Sequence, residues 1–415
     1  MRFRQARPPV LMSYAAFVLI GINVGISGVL LPSQMASYGV GRATIGITFF
    51  TSSAGFVLAS VSTGALIHKA GIRIALTGGG VAFTLAGLYL ATRPPFAAFV
   101  LAQLIVGYGT GVLEAALNVY IAGLPGATTL LNRLHAFFGV GALVGPPLAA
   151  WILGFASWTV VWLVVSVACV PLVAGFLLAY PGPERSAPDA HGAPDAHGTP
   201  VVHAAPDGPG TAPAPPSPTP RGLLHSALRD RGVQLGAAML FVYVGVEIGV
   251  GNWGFSYLVQ TRALPASLAG YTISGFWLGL TLGRFLISPI AARAGATTAA
   301  MIYACLAGIS AAIVAAWVSP TVVACVAFGL LGFFLGPVFP TTMAIVPQLT
   351  RPRLVPTAIG VMNGGAVIGG SALPWLAGTL AQNAGMWVLL PFVLTLSLAQ
   401  FAVWRPIAAR LERRG

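Results

Sequence analysis

The chain has little charge, and what it has is mostly of one sign. Only 7% of its 415 residues are charged, 8 acids against 21 basic residues. A soluble protein carries about 25% charged residues, so this composition cannot clothe a water-facing surface and excludes a soluble enzyme. Cysteine is almost absent. The 3 cysteines, Cys169, Cys305 and Cys325, each lie inside an apolar run, which excludes a disulfide scaffold. No phosphate-binding glycine–lysine loop occurs, so no nucleotide is implied. No metal-ligand constellation falls within the apolar runs, and no cofactor is expected beyond a coupling ion. Nor is the basic excess a nucleic-acid footprint: the arginines sit at the ends of apolar runs, where cations set membrane orientation.

What is present is apolar. Hydrophobic residues make up 57% of the chain and the mean hydropathy is +0.87. The runs predict an all-α membrane protein with twelve spans, near 11–32, 44–67, 73–92, 96–122, 129–154, 157–180, 233–259, 268–290, 296–318, 321–348, 355–380 and 385–406. A helix of about 20 apolar residues crosses a bilayer with its backbone bonded internally, which an open strand cannot do. The first run follows Arg2, Arg4 and Arg7 but has no small-residue cleavage site, so it reads as a span and not as a cleaved leader.

One segment breaks the pattern. Residues 181–222 are rich in proline and alanine, with the repeat Ala-Pro-Asp-Ala-His-Gly at 187–192 and 193–198. This reads as a disordered cytoplasmic linker, and His191, His197 and His203 as part of it instead of a metal site. The division is then a six-helix bundle at 1–180, the linker at 181–222 and a second six-helix bundle at 223–415. With both termini cytoplasmic, sixteen cations fall on the inner side and three on the outer, namely Arg42, Arg93 and Arg262; Arg133 and Arg284 fall within spans. That bias orients the chain in the cell inner (plasma) membrane. A monomer in the lipid bilayer is expected.

The halves echo each other. Gly107 and Gly111 in span 4 match Gly332 and Gly336 in span 10, and Gly141 and Gly145 in span 5 match Gly365 and Gly369 in span 11. Small residues four apart let helix backbones approach closely, and matched motifs suggest two pseudo-symmetric bundles around a central cavity.

Accounting for the acids locates the chemistry. Glu184, Asp189, Asp195 and Asp207 lie in the linker, and Asp230 and Glu412 at the ends of spans. Glu114 in span 4 and Glu247 in span 7 remain, both deep in apolar runs. A carboxylate there costs several kcal/mol unless it is paired, protonated or facing water. Proton coupling is therefore expected at Glu114, Glu247 and His135, although a sodium ion would suit the same carboxylates. The bland alternative for each glutamate is a protonated carboxyl hydrogen-bonded between helices, or a partner for Arg133 or Arg284. Around the acids, Asn118, Asn132, His135, Asn252, Trp253, Phe339 and Asn363 join Glu114 and Glu247 as expected substrate-binding residues. Amides and carboxylates exchange hydrogen bonds with hydroxyls, while aromatic faces cover the C–H surface of a sugar.

The loop after span 2, Gly64-Ala-Leu-Ile-His68-Lys69-Ala-Gly71-Ile-Arg73, resembles the signature loop of the major facilitator superfamily, with His68 where an acid is usual. The run from Gly107 to Glu114, the run from Asn132 through His135 to Pro146, and Tyr243-Val-Gly-Val-Glu247 resemble the fucose–galactose–glucose proton symporters of that superfamily. The resemblance implies the major facilitator fold, alternating access, and a role for Glu114 in sugar binding and proton coupling. Some members also use an aspartate in span 1, where this chain has Asn23. The expected function is proton-coupled symport of a hexose-type sugar. The alternative comes from Gly141-Ala-Leu-Val-Gly145-Pro146, which looks like the motif of proton-coupled antiporters that export drugs or natural products.

Overall fold

The computed structural model describes residues 7–180 and 220–413, and every regular element among them is helical. Nine long helices follow the expected runs to within a few residues at most ends: Arg7–Tyr38 (span 1), Phe96–Ala122 (span 4), Ala127–Leu153 (span 5), Trp158–Ala179 (span 6), Arg231–Gln260 (span 7), Ala266–Arg293 (span 8), Thr298–Val318 (span 9), Val355–Ala384 (span 11) and Leu389–Glu412 (span 12). Arg2, Arg4 and Arg414 lie outside the described residues, as do positions 181–219 with their four acids and three histidines. A helix at Pro220–Arg229 begins three residues inside the expected linker and leads directly into span 7.

Two spans depart from simple helices. Spans 2 and 3 belong to one 45-residue helical run, Ile47–Ala91. Straight, it would be about 68 Å long, more than twice the thickness of a bilayer core. Gly71, at φ 84° and ψ 162°, interrupts it with a conformation that favours glycine. Gly55 packs on the backbone of Leu104 in span 4, and Gly79 packs on Gly109 and Val112 of the same span. Positions 55 and 79 can meet adjacent turns of one helix only if the chain doubles back at Gly71. The 11 helices long and apolar enough to cross a membrane thus make twelve crossings. Span 10 is split into Thr321–Leu335 and Val338–Ala344 by Gly336-Pro337, because Pro337 has no N–H to continue the ladder.

The same pairings recur in both halves. A Cβ at Gly141 of span 5 would strike the Val18 carbonyl of span 1, and one at Gly369 of span 11 the Phe241 carbonyl of span 7. Gly107 of span 4 meets Ser52 of span 2 as Gly332 of span 10 meets Phe276 of span 8. Span 3 packs on span 6 through Gly87 and Ser166, and span 9 on span 12 through Ser310 Oγ and Ser397 Oγ at 2.9 Å. Two six-helix bundles with one internal plan result.

The bundles meet mainly in the half of the molecule away from the termini. There Arg42 donates to Gln260 Oε1 (2.7 Å) and to the Ala381 carbonyl (3.1 Å), and the Ala43 N–H to Gln382 Oε1 (2.9 Å). Trp375 Nε1 donates to the Ala43 carbonyl (3.1 Å), and Ser371 Oγ to Ser53 Oγ (2.7 Å). The three cations on this face all bond carbonyls at helix ends, Arg93 to Ser37 and Arg262 to Trp317 and Ser319 besides Arg42 to Ala381. Carbonyls at helix C-termini attract cations.

Candidate functional site

Between the bundles lies a cavity of about 390 Å³, within the range of small-ligand sites. Two regular stripes build its polar wall. Gln103, Gly107, Thr110 and Glu114 recur at three- and four-residue steps on span 4, and Asn23, Ser27, Leu30 and Gln34 do so on span 1. Residues at those steps share one helix face. Ser52 and Ser53 of span 2 and Trp162 of span 6 complete the first bundle's side. The second bundle contributes Asn252 and the apolar Val244, Ile248 and Val367.

Several polar groups in this wall lack partners. The Glu114 carboxyl has no hydrogen bond or ion pair with any described residue. Asn23 Oδ1 and Trp162 Nε1 are buried and unpartnered as well. Neighbouring hydroxyls donate to their own helices, Ser27 to the Asn23 carbonyl (2.8 Å) and Thr110 to the Val106 carbonyl (3.0 Å). The side chains of Gln34, Gln103 and Asn252 likewise bond no described residue, so a carboxyl and three amides line the same space uncompensated, while the Asn23 and Trp162 atoms lie buried in its wall. A buried polar group without a partner costs about 1–3 kcal/mol, which a polar solute would relieve.

A second cluster lies outside this cavity. Glu247 is buried on span 7 and accepts from Arg284 Nη2 of span 8 at 3.4 Å. Arg284 also lines a small pocket with Trp277 and Thr281 of span 8 and with His135 and Phe138 of span 5.

The model of the Major Facilitator Superfamily matches residues 14–329 and 255–414. The chain belongs to the Major Facilitator Superfamily. It is a multi-pass membrane transporter and not an enzyme. Among its relatives, Bypass of stop codon protein 6 of Saccharomyces cerevisiae is 26% identical, over 93% of this chain and 79% of that protein. The glucose/mannose transporter GlcP of Bacillus subtilis is 22% identical, over 90% and 88%. A bacterial homologue of the human lysosomal transporter Spinster, inward-facing and occupied, superposes with a TM-score of 0.76 at 11% identity, over 97% of this chain and 96% of that chain. The E. coli fucose:proton symporter FucP superposes with a TM-score of 0.59 at 15% identity, over 96% and 98%. The resemblance to the fucose-type symporters thus holds at the level of superfamily and fold.

Two of the nine expected binding residues, Glu114 and Asn252, line the cavity. The others stand elsewhere. Trp253 is fully buried against Phe49, and its Nε1 donates to the Pro374 carbonyl at 2.7 Å, so it faces packing and not a ligand. Asn118 shares the face of Glu114 but bends back to donate to the Glu114 carbonyl at 2.9 Å. Phe339 packs on Tyr243 with ring centroids 5.9 Å apart. Asn132 and Asn363 are exposed and line neither pocket. His135 and Glu247 belong to the second cluster, where the alternative of an Arg284 partner is what Glu247 adopts. Gln34, Gln103, Trp162 and Asn23 line the cavity as well and are not among the expected binding residues. The polar stripes through Asn23 and Gln103 inside apolar runs were the available signal; Trp162 had none.

Proposed function

We propose that this transporter carries a hexose-type sugar by proton-coupled symport, with Glu114 as the shared site of solute and proton. The observation that carries the reading is the unpartnered Glu114 carboxyl in one cavity with the unpartnered amides of Gln34, Gln103 and Asn252. Hydroxyls can donate to the carboxyl and amide oxygens and accept from the amide N–H groups, while Phe49, Phe56 and Phe138 cover C–H faces. The glucose/mannose transporter among the relatives supports the solute class. Glu114 takes a proton from outside, solute binding allows the cavity to close, and opening toward the termini releases both. The sixteen-to-three distribution of cations supports cytoplasmic termini in the plasma membrane, which makes the described state inward-open.

The test is counterflow in proteoliposomes preloaded with unlabelled hexose and challenged with labelled glucose, galactose, mannose and fucose. Saturable, self-competed uptake of one hexose is expected. Absence of exchange of any hexose by folded protein would refute the sugar reading in favour of an exporter of a less polar molecule.

A further inference from the structure

The ligand cavity leaves unused the one ion pair found among the described residues, Glu247–Arg284, which lies inside the membrane-spanning helices. Its surroundings tie it to the seam between bundles. Spans 5 and 8 touch at Gly139 and Thr281, where a Cβ on the glycine would strike the threonine hydroxyl. One turn nearer the termini, His135 of span 5 and Arg284 of span 8 flank a pocket of about 20 Å³, room for about one water. Arg284 Nε and Trp277 Nε1 are buried there without partners. The groups facing Glu247 are Arg284 and Tyr243, and those facing Arg284 are Glu247, Tyr243 and, from the other bundle, His135. Spans 1, 10, 11 and 12 also pack on span 7 but bring no charged group to Glu247.

We propose that Glu247, Arg284 and His135 form a second protonation site, separate from the ligand cavity, that governs opening of the seam toward the face carrying the termini. Ionised Glu247 neutralises Arg284, and the seam can close without leaving a bare charge. Adding a proton to the carboxylate leaves a guanidinium with no counter-charge, facing His135 across the seam. An uncompensated buried charge is strongly destabilising, and opening the seam to water on that face relieves it. Protonation thus favours opening toward the termini, the direction in which a symporter delivers its proton. The argument rests on alternating access alone and is independent of the solute.

The experiment is double electron–electron resonance on Lys69→Cys/Arg353→Cys in nanodiscs, with Cys169, Cys305 and Cys325 replaced by alanine. Both labelled positions are exposed, one in each bundle, at helix ends on the face carrying the termini, so their separation reports opening of that face. Between about pH 8 and about pH 5.5, the ratio of long to short distances should rise about tenfold, within the usual range of coupling between sites. In Glu247→Gln the long distance should dominate at both pH values. The double variant Glu247→Gln/Arg284→Gln should keep the short distance at both, which separates a lost switch from a lost fold. Glu412→Gln, at an exposed carboxylate outside both the cavity and the seam, should retain the parental response. A parental response in Glu247→Gln, or its loss in Glu412→Gln, overturns the proposal.

Discussion

Arg42→Ala should release the closed face. The guanidinium makes two of the hydrogen bonds that hold the bundles together away from the termini, at 2.7 Å to Gln260 Oε1 and 3.1 Å to the Ala381 carbonyl. Bonds from a charged donor contribute about 1.5–3 kcal/mol when buried, but partial exposure reduces this toward about 1 kcal/mol each. Losing both therefore shifts the balance between the two open states by about 2 kcal/mol, or about 30-fold. The bonds of Ala43 with Gln382 and Trp375 remain, so the closed face is weakened and not abolished. The assay is the labelling rate, at one fixed pH, of Val367→Cys in the cavity by an impermeant thiol reagent added on the face away from the termini. Arg93→Ala is the control, since Arg93 donates to the Ser37 carbonyl at 2.7 Å within its own bundle and should leave the rate unchanged. A rise of less than about twofold in Arg42→Ala, or an equal rise in Arg93→Ala, would show that these contacts do not hold the face shut.

Other consequences follow from single contacts. Gln103→Leu keeps the size of the side chain and removes a free amide from the cavity wall, so KM should rise about fivefold with the maximal rate preserved, the effect of about 1 kcal/mol of hydrogen bonding; an unchanged KM in counterflow would remove Gln103 from the binding site. Trp253→Phe should lower the melting temperature through loss of the bond to Pro374, about 1 kcal/mol, and leave KM alone. Gly332→Val drives a side chain into the Phe276 carbonyl and should destabilise by about 1–3 kcal/mol, whereas Gly364→Ala meets nothing within 4 Å and should be silent in the same thermal melts.

Fold and site were legible in the sequence to different degrees, for a physical reason. A span must be apolar over its whole length, so twelve runs are written in composition alone. Glycines at helix contacts are equally readable, because Gly107, Gly141, Gly332 and Gly369 stand where a Cβ would strike a carbonyl. Where a side chain points within a span is set by packing, and composition is blind to that. Trp253 and Trp162 have the same chemistry, yet one nitrogen is bonded to Pro374 and the other lies free beside the cavity. The break at Gly71, which doubles spans 2 and 3 back on themselves, lies within the glycine-containing loop expected between them, though the helix run continues through it.

Glu114 and Glu247 are indistinguishable in sequence, two acids in two apolar runs, but their neighbours give them opposite constraints. Glu247 has Arg284 beside it, so closing the protein around the ionised pair leaves no net charge. No cation stands beside Glu114 in its cavity. Closing over that carboxylate empty and ionised would strand a charge against Val244, Ile248 and Phe138 at a cost of several kcal/mol. The closed cavity is therefore reached most readily when Glu114 carries a proton or its charge is met by solute, and the return of the empty, deprotonated carrier that symport requires is the slow half of the cycle. Glu114→Gln uncouples closure from the proton, because an amide closes without stranding a charge whether or not a proton is available. Accumulation driven by a pH gradient should fall to the equilibrium level while exchange across the membrane persists, measured as labelled hexose retained with and without an imposed gradient. Accumulation that survives in this variant would place coupling at another group and leave Glu114 a solute ligand alone.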